Sequence, residues 1–229
     1  MKIELWSDYA CPFCYIGEKR LKKALAALKD GASVKVEFKS FELDATASRE
    51  VVSSTTERFA KKYGLSREEA AARIEAISEM GRGEGIDFRY AETQYTNTFD
   101  ALRLTKYAQE KGKPEIVEKL FDAYFTKNEK LSDHEVLKGI AASCGLDATE
   151  TAEVLAGNRY ADDVRDDERD AMRFGIHAVP YFLVNGKYAA SGAQSVELLQ
   201  ELVEKAMAEE AAAPDAAVGM ACGPDGCRF

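Results

Sequence analysis

Polar and apolar residues alternate at the start of the chain, where Ile3 and Leu5 alternate with Lys2 and Glu4. That is the period of a strand with one buried face, over residues 2–6. From Pro12 to about Lys29 the period lengthens. Leu21, Leu25 and Leu28 share one helical stripe, while Lys22, Lys23 and Lys29 lie off it. Asp30-Gly31 stops the helix, and Val34, Val36 and Phe38 alternating with Lys35, Glu37 and Lys39 make a second strand. Strand, helix and strand in this order form a βαβ unit, for which parallel strands and a right-handed crossover are expected.

From about residue 45 to 175 the pattern is almost wholly helical. Ser66 before Glu69, Ser132 before Glu135 and Asp147 before Glu150 have the spacing of capping boxes. The pattern predicts helices over 48–63, 66–81, 98–111, 114–127, 132–144, 148–156 and 158–174, with an irregular segment near 81–96. Strand signals return at Pro180-Tyr181-Phe182-Leu183-Val184. Asn185-Gly186 then supplies the two positive-φ positions of a type I′ hairpin turn, and Lys187 to Ser191 pairs back. Residues 195–208 close with a helix on the stripe Leu198, Leu199, Leu202, Val203 and Ala206. The expected organisation is an α/β fold in which 1–44 and 175–208 form one domain split as β-α-β and β-β-α. A helical insertion occupies 45–174 and a tail 209–229.

Composition sharpens this picture only in part. Of the 229 residues, 46% are hydrophobic and 31% charged, with no apolar run long enough for a membrane-spanning helix. The first residues enter a strand directly instead of an apolar signal segment, which predicts a cytoplasmic protein. Net charge is −9 and the basic residues are scattered, which argues against a nucleic-acid partner.

The five cysteines form two close pairs, Cys11/Cys14 and Cys222/Cys227, and the singleton Cys144. The first pair stands where a strand hands over to a helix. Pro12 suits the first helical position, which makes Cys11 the N-cap. There its sulfur is expected to accept from the Phe13 and Cys14 amides at the positive end of the helix, favouring an exposed thiolate. Cys14, one turn inside, is expected to be buried and less acidic. Gly223-Pro224-Asp225-Gly226 forms a turn that brings Cys222 and Cys227 together. A disulfide there gains only roughly 2 kcal/mol by loop closure, so this pair is either a second redox couple exchanging with the first or an incidental or metal-binding element. Zinc held by all four cysteines is a further reading. Cys144, before Gly145, reads as a buried inert thiol, and His134 as a surface residue. His177 falls near Pro180. Tyr15, Tyr90, Tyr95 and Phe99 are either core or the lining of a pocket, and the mixed charges from Arg159 to Arg173 form a solvated helix face.

The motif Ser7-Asp8-x-x-Cys11-Pro12-Phe13-Cys14-Tyr15-Ile16-Gly17, with Asn97-Thr98 opening a helix and Gly175-x-x-Ala178-Val179-Pro180-Tyr181-Phe182 downstream, resembles the DsbA-like thioredoxin superfamily, its cytoplasmic FrnE-type branch most of all. The resemblance extends to about residue 208. It implies a thioredoxin fold interrupted by helices and thiol-disulfide oxidoreductase or isomerase activity on client proteins. It also implies an attacking Cys11, a resolving Cys14 and a cis-proline at Pro180 facing them. The Val179 backbone would then bind an extended substrate strand, with Pro12 and Phe13 beside it. No metal or resident cofactor is implied, and glutathione or a thioredoxin-type protein is the candidate recycling partner. Kappa-type glutathione transferases and 2-hydroxychromene-2-carboxylate isomerases share the layout but typically carry serine at the Cys11 position, so both cysteines favour redox work. A chaperone that uses the apolar cleft is the third reading.

Overall fold

In the computed structural model, which describes residues 1–212, a four-stranded sheet carries the α/β architecture that the pattern predicts. Strand β1 (Lys2–Ser7) pairs in parallel with β2 (Lys35–Ser40), from Lys2 opposite Lys35 to Ser7 opposite Ser40. On its other side it pairs antiparallel with β3 (Tyr181–Val184), which pairs antiparallel with β4 (Tyr188–Ser191). Asn185 and Gly186 both have positive φ, 52° and 68°, as the hairpin turn requires. Helix α1 (Pro12–Ala27) packs with α9 (Val196–Ala212). Ile3, Leu5, Leu21, Phe182, Leu199 and Val203 form the core they share with the sheet.

Between β2 and β3 run α2 (Thr55–Tyr63), α3 (Arg67–Gly83), α4 (Phe99–Glu110), α5 (Ile116–Phe125), α6 (His134–Ser143), α7 (Ala148–Ala156) and α8 (Ala161–Arg173). The larger core cluster draws on both parts of the chain, joining Trp6, Cys14 and Tyr15 to residues of α2 through α8. Tyr15 stacks on Phe121 at 5.0 Å and 6°, and Phe88 stacks on Phe125 at 4.7 Å. Gly81 makes room for that stack, since a Cβ there would lie 2.5 Å from the Phe88 ring.

Several boundaries differ from the pattern. The first inserted helix starts at Thr55, seven residues later than the expected 48, because Ser54 and Glu57 close a full capping box there. The cap of α6 is Asp133, which accepts from the Glu135 amide, while the Ser132 hydroxyl donates to the Arg49 carbonyl. Helix α8 starts at Ala161, after Tyr160 in the left-handed region. Helix α9 runs on to Ala212, past the expected end at 208, over alanine and glutamate with high helix propensity. The charged face of α8 carries the expected ion pairs, Arg165 to Glu168 at 2.6 Å among them. Its inward residue Asp167 instead pins the helix to the sheet, accepting from the Ser40 amide at 2.7 Å and from Lys39 at 3.2 Å, while its carbonyl accepts from Trp6 Nε1 at 3.0 Å.

A second buried carboxylate braces the inserted helices. Asp100 accepts from Arg103 at 2.8 Å, Arg49 at 2.7 Å and His134 Nε2 at 2.8 Å. His134 is thus half-buried and partnered, where the sequence suggested a surface residue. Burial pushes the Asp100 carboxyl up, but the bonds from His134, Arg49 and Arg103 outweigh it and hold the group below its ordinary value. A folded-state pKa below the unfolded one, near 3.9, stabilises the fold above that pH, and the stability is lost as pH falls through the folded value. Thermal unfolding is therefore expected to drop more steeply between about pH 5 and 3 in the native chain than in Asp100→Asn. Parallel slopes would remove Asp100 from the acid response.

Candidate active site

Strand β1 ends in a turn fixed by Asp8. Its carboxyl accepts from the Ala10 amide at 3.1 Å and the Leu43 amide at 2.7 Å, and its carbonyl accepts from the Cys11 amide at 3.1 Å. The turn delivers Cys11 as N-cap of α1 in extended conformation, followed by Pro12. The side chain of Cys11 makes no capping bond, contrary to the expected contacts with the Phe13 and Cys14 amides. Its thiol donates instead to the Val179 carbonyl, at 3.6 Å. A protonated thiol is a weak donor and a poor acceptor, so a carbonyl within reach takes it from the helix amides.

Cys11 is 5% exposed and Cys14 fully buried, so the first sulfur is less open than its sequence position suggested. Cys11, Cys14 and Cys144 are all free thiols. Burial, and then the neighbouring Cys11 sulfur, push the Cys14 thiol well above its ordinary value, while the Ser7 hydroxyl and the Asp8 amide act the other way. The Val179-Pro180 peptide is cis, as the motif implied. Pro180 seats against α1 because position 17 is glycine: a Cβ there would lie 3.0 Å from Pro180 Cγ and 3.2 Å from Phe182 Cζ. Glycine inside a helix costs about 1 kcal/mol against alanine, and that cost was the sequence signal for this close approach.

Above Cys11 lies a cavity of about 540 Å³. Cys11, Pro12, Phe13, His177 and Val179 line it together with Arg58 and Lys62 from α2 and Arg73 from α3. These cations and His177 were not assigned a site role by sequence, although Arg58 and Lys62, four apart, share one helical face. Of the four aromatics singled out, Tyr90 lines the cavity, its hydroxyl pushed up to about 12 by burial against the opposing charge of Arg58. Tyr15 is core, Tyr95 lies under the Arg58 guanidinium at 3.8 Å, and Phe99 under that of Arg165 at 4.4 Å. Cys144 caps the end of α6, 4% exposed, and burial pushes its thiol up. Cys222 and Cys227 lie outside the described residues. Among the described residues, no three metal-ligating side chains converge.

The fold has known counterparts. The probable DsbA oxidoreductase SCO1869 from Streptomyces coelicolor is 37% identical and superposes with a TM-score of 0.88, over 100% of this chain and 99% of that one. A 2-hydroxychromene-2-carboxylate isomerase shares the fold at 14% identity and a TM-score of 0.69, over 93% and 98% of the two chains. So does the cytosolic disulfide reductase DsbM from Pseudomonas aeruginosa with GSH, at 12% and 0.60, again over 93% and 98%. The family described as DSBA-like thioredoxin domain matches residues 2–204, and the chain belongs to that family of thiol-disulfide oxidoreductases.

Proposed function

We propose that the protein exchanges disulfides through Cys11 and Cys14, in a cycle of two displacements. Cys11, as thiolate, attacks one sulfur of a client disulfide; a Cys11 mixed disulfide forms and the other client sulfur leaves as thiolate. Cys14 then attacks the Cys11 sulfur and releases the second client sulfur, so the client gains two electrons and the protein holds a Cys11-Cys14 disulfide. Run in reverse, the cycle oxidises a client, and where a different client thiolate instead of Cys14 displaces Cys11 from the mixed disulfide, a new client disulfide forms, Cys11 is released and the client is isomerised. The observation that carries this reading is the pairing of Cys11, which lines the cavity, with a fully buried partner whose thiol burial pushes up. Such a partner stays protonated until the mixed disulfide needs it.

Protein disulfides are the proposed clients. Pro12 and Phe13 would form the contact surface, and the Val179 backbone would take the client strand beside Pro180. The Val179 carbonyl already accepts from the Cys11 thiol, which supports that place for it. We propose the FrnE-type branch and a cytoplasmic location, with glutathione as the recycling reductant; the GSH bound by the DsbM relative supports the last. The Cys222/Cys227 pair is proposed as a second couple that relays electrons to the first. Cys14→Ser is expected to accumulate a covalent Cys11 adduct when treated with a disulfide-bonded client or with glutathione disulfide, the other sulfur leaving as a thiolate, read as added mass that dithiothreitol removes. An adduct-free Cys14→Ser protein would exclude the resolving role.

A further inference from the structure

Strand β1 ends on a fully buried serine, Ser7, whose hydroxyl has no hydrogen-bond partner. An orphaned hydroxyl in the interior opposes folding, so its presence in a native structure calls for a reason. The backbone of Ser7 is well anchored, its carbonyl accepting from the Phe41 amide at 3.1 Å. The side chain alone is left without a bond.

What Ser7 faces follows from the two periods of the chain. Along β1, Ile3, Leu5 and Ser7 share one face of the strand. Ile3 and Leu5 form a core there with Leu21 of α1. Cys14 stands about two turns before Leu21 on the same stripe of that helix, with Gly17 between them set against Pro180 and Phe182. The packing that joins Leu21 to Leu5 therefore brings Cys14, itself fully buried, to the end of the strand where Ser7 lies. The Ser7 hydroxyl and the Asp8 amide accordingly hold the Cys14 thiol down against the burial that pushes it up. Both donors belong to the segment that delivers Cys11.

A protonated thiol is a weak partner, whereas a thiolate accepts charge-assisted hydrogen bonds. A hydroxyl unpaired beside the thiol thus gains its bond when the proton leaves. Stabilisation that is absent in the ground state and present in the reactive one lowers the barrier.

We infer that the Ser7 hydroxyl, with the Asp8 amide beside it, receives the Cys14 thiolate while the mixed disulfide on Cys11 is resolved. This rests on the redox reading above and assigns the group that lets a buried thiol act as nucleophile. The step balances: Cys14-SH and the Cys11-S-S-R mixed disulfide become the Cys11-Cys14 disulfide and RSH. One S–S bond breaks and one forms, the client sulfur leaves with the electron pair of the broken bond, and the proton lost by Cys14 ends on it. Ser7 keeps its own proton throughout.

Ser40 provides a matched control. It lies opposite Ser7 on β2, is equally buried, and its hydroxyl is equally without a partner. Reduced native, Ser7→Ala and Ser40→Ala chains are mixed with a large excess of bis(2-hydroxyethyl) disulfide, a small neutral probe, and quenched in acid at successive times. Trypsin then releases residues 3–19, which carry Cys11 and Cys14 and no other cysteine. Mass spectrometry of that segment counts free dithiol, hydroxyethylthio adduct and internal disulfide. Loss of the dithiol reads attack by Cys11, and decay of the adduct reads resolution by Cys14. In Ser7→Ala, attack should stay within about twofold of native while resolution slows about tenfold at about pH 7. The gap should close as pH rises, because losing a donor raises the pH at which Cys14 ionises and leaves the fully ionised step alone. Ser40→Ala should resolve at the native rate. The substitution at Ser7 removes an oxygen that holds no bond in the reduced protein, so the variant is expected to fold as the native chain does. Resolution at the native rate in Ser7→Ala would overturn the inference. Slowing by one factor at every pH, or equal slowing in Ser40→Ala, would overturn it too, as marks of packing alone; in these cases the redox reading stands. A native chain that forms neither adduct nor internal disulfide would overturn both.

Discussion

Cys11→Ser is expected to lower disulfide exchange by roughly three orders of magnitude or more, because a serine hydroxyl supplies no thiolate and does not displace sulfur from sulfur. The change is nearly isosteric, and the cavity and the turn around it should persist. Neither of the other described thiols can stand in. Cys14 is fully buried beneath the site, and Cys144 is 4% exposed at the end of α6. Insulin reduction with dithiothreitol as the terminal reductant reads the loss, and circular dichroism checks that the fold is retained. Full activity in a folded Cys11→Ser protein would sink the redox reading and leave the chaperone reading as the better one.

The second large effect is expected at Asp8. Its side chain is 1% exposed and holds two backbone amides, one in the turn before Cys11 and one at Leu43 beyond β2. Asp8→Ala leaves the buried Ala10 amide without a partner and the Leu43 amide partly so, a cost of roughly 2–4 kcal/mol. For a chain of this size that is roughly 4–16 °C in thermal midpoint. Asp8→Asn keeps one acceptor and should fall between. Burial holds the Asp8 carboxyl above its ordinary range even though the Leu43 and Ala10 amides pull it down. A folded-state pKa above the unfolded one means that the charged form opposes folding, and increasingly so as pH rises through the folded value. The deficit of Asp8→Asn against the native chain should therefore be smaller at about pH 7 than at about pH 4. Denaturant unfolding at the two pH values measures it, and a deficit independent of pH would mean that Asp8 acts through geometry alone.

The sheet was readable because its information is local. Ile3 and Leu5 alternate with polar neighbours, Asn185-Gly186 can hardly be anything but a tight turn, and the cysteine pair marks the start of α1. Helix boundaries were readable where a cap dominates, as at Ser66 and Asp147, where the expected amide bonds form. At 48–54 they were not. The Ser48 carbonyl there accepts from the Asn97 amide at 2.8 Å, a tertiary bond that competes with helix and leaves no periodic trace. The site divides in the same way. The two cysteines and the proline are carried by a motif, whereas the rotamer of Cys11 is decided by a carbonyl far along the chain, and the basic lining of the cavity needs residues from two helices to meet. Nothing in the spacing of Arg58, Lys62 and Arg73 says that they line one cavity with Cys11.

The bond between the Cys11 thiol and the Val179 carbonyl spans 168 positions of sequence. During synthesis at about 5–20 residues per second, the sulfurs are therefore made on the order of 10–30 s before the residue that covers them. For that interval the nascent chain carries a dithiol without its lid, its cavity only partly built. The newborn protein is thus more open to indiscriminate oxidation than the finished one, and completion of the chain is the step that turns a reactive pair into a selective one.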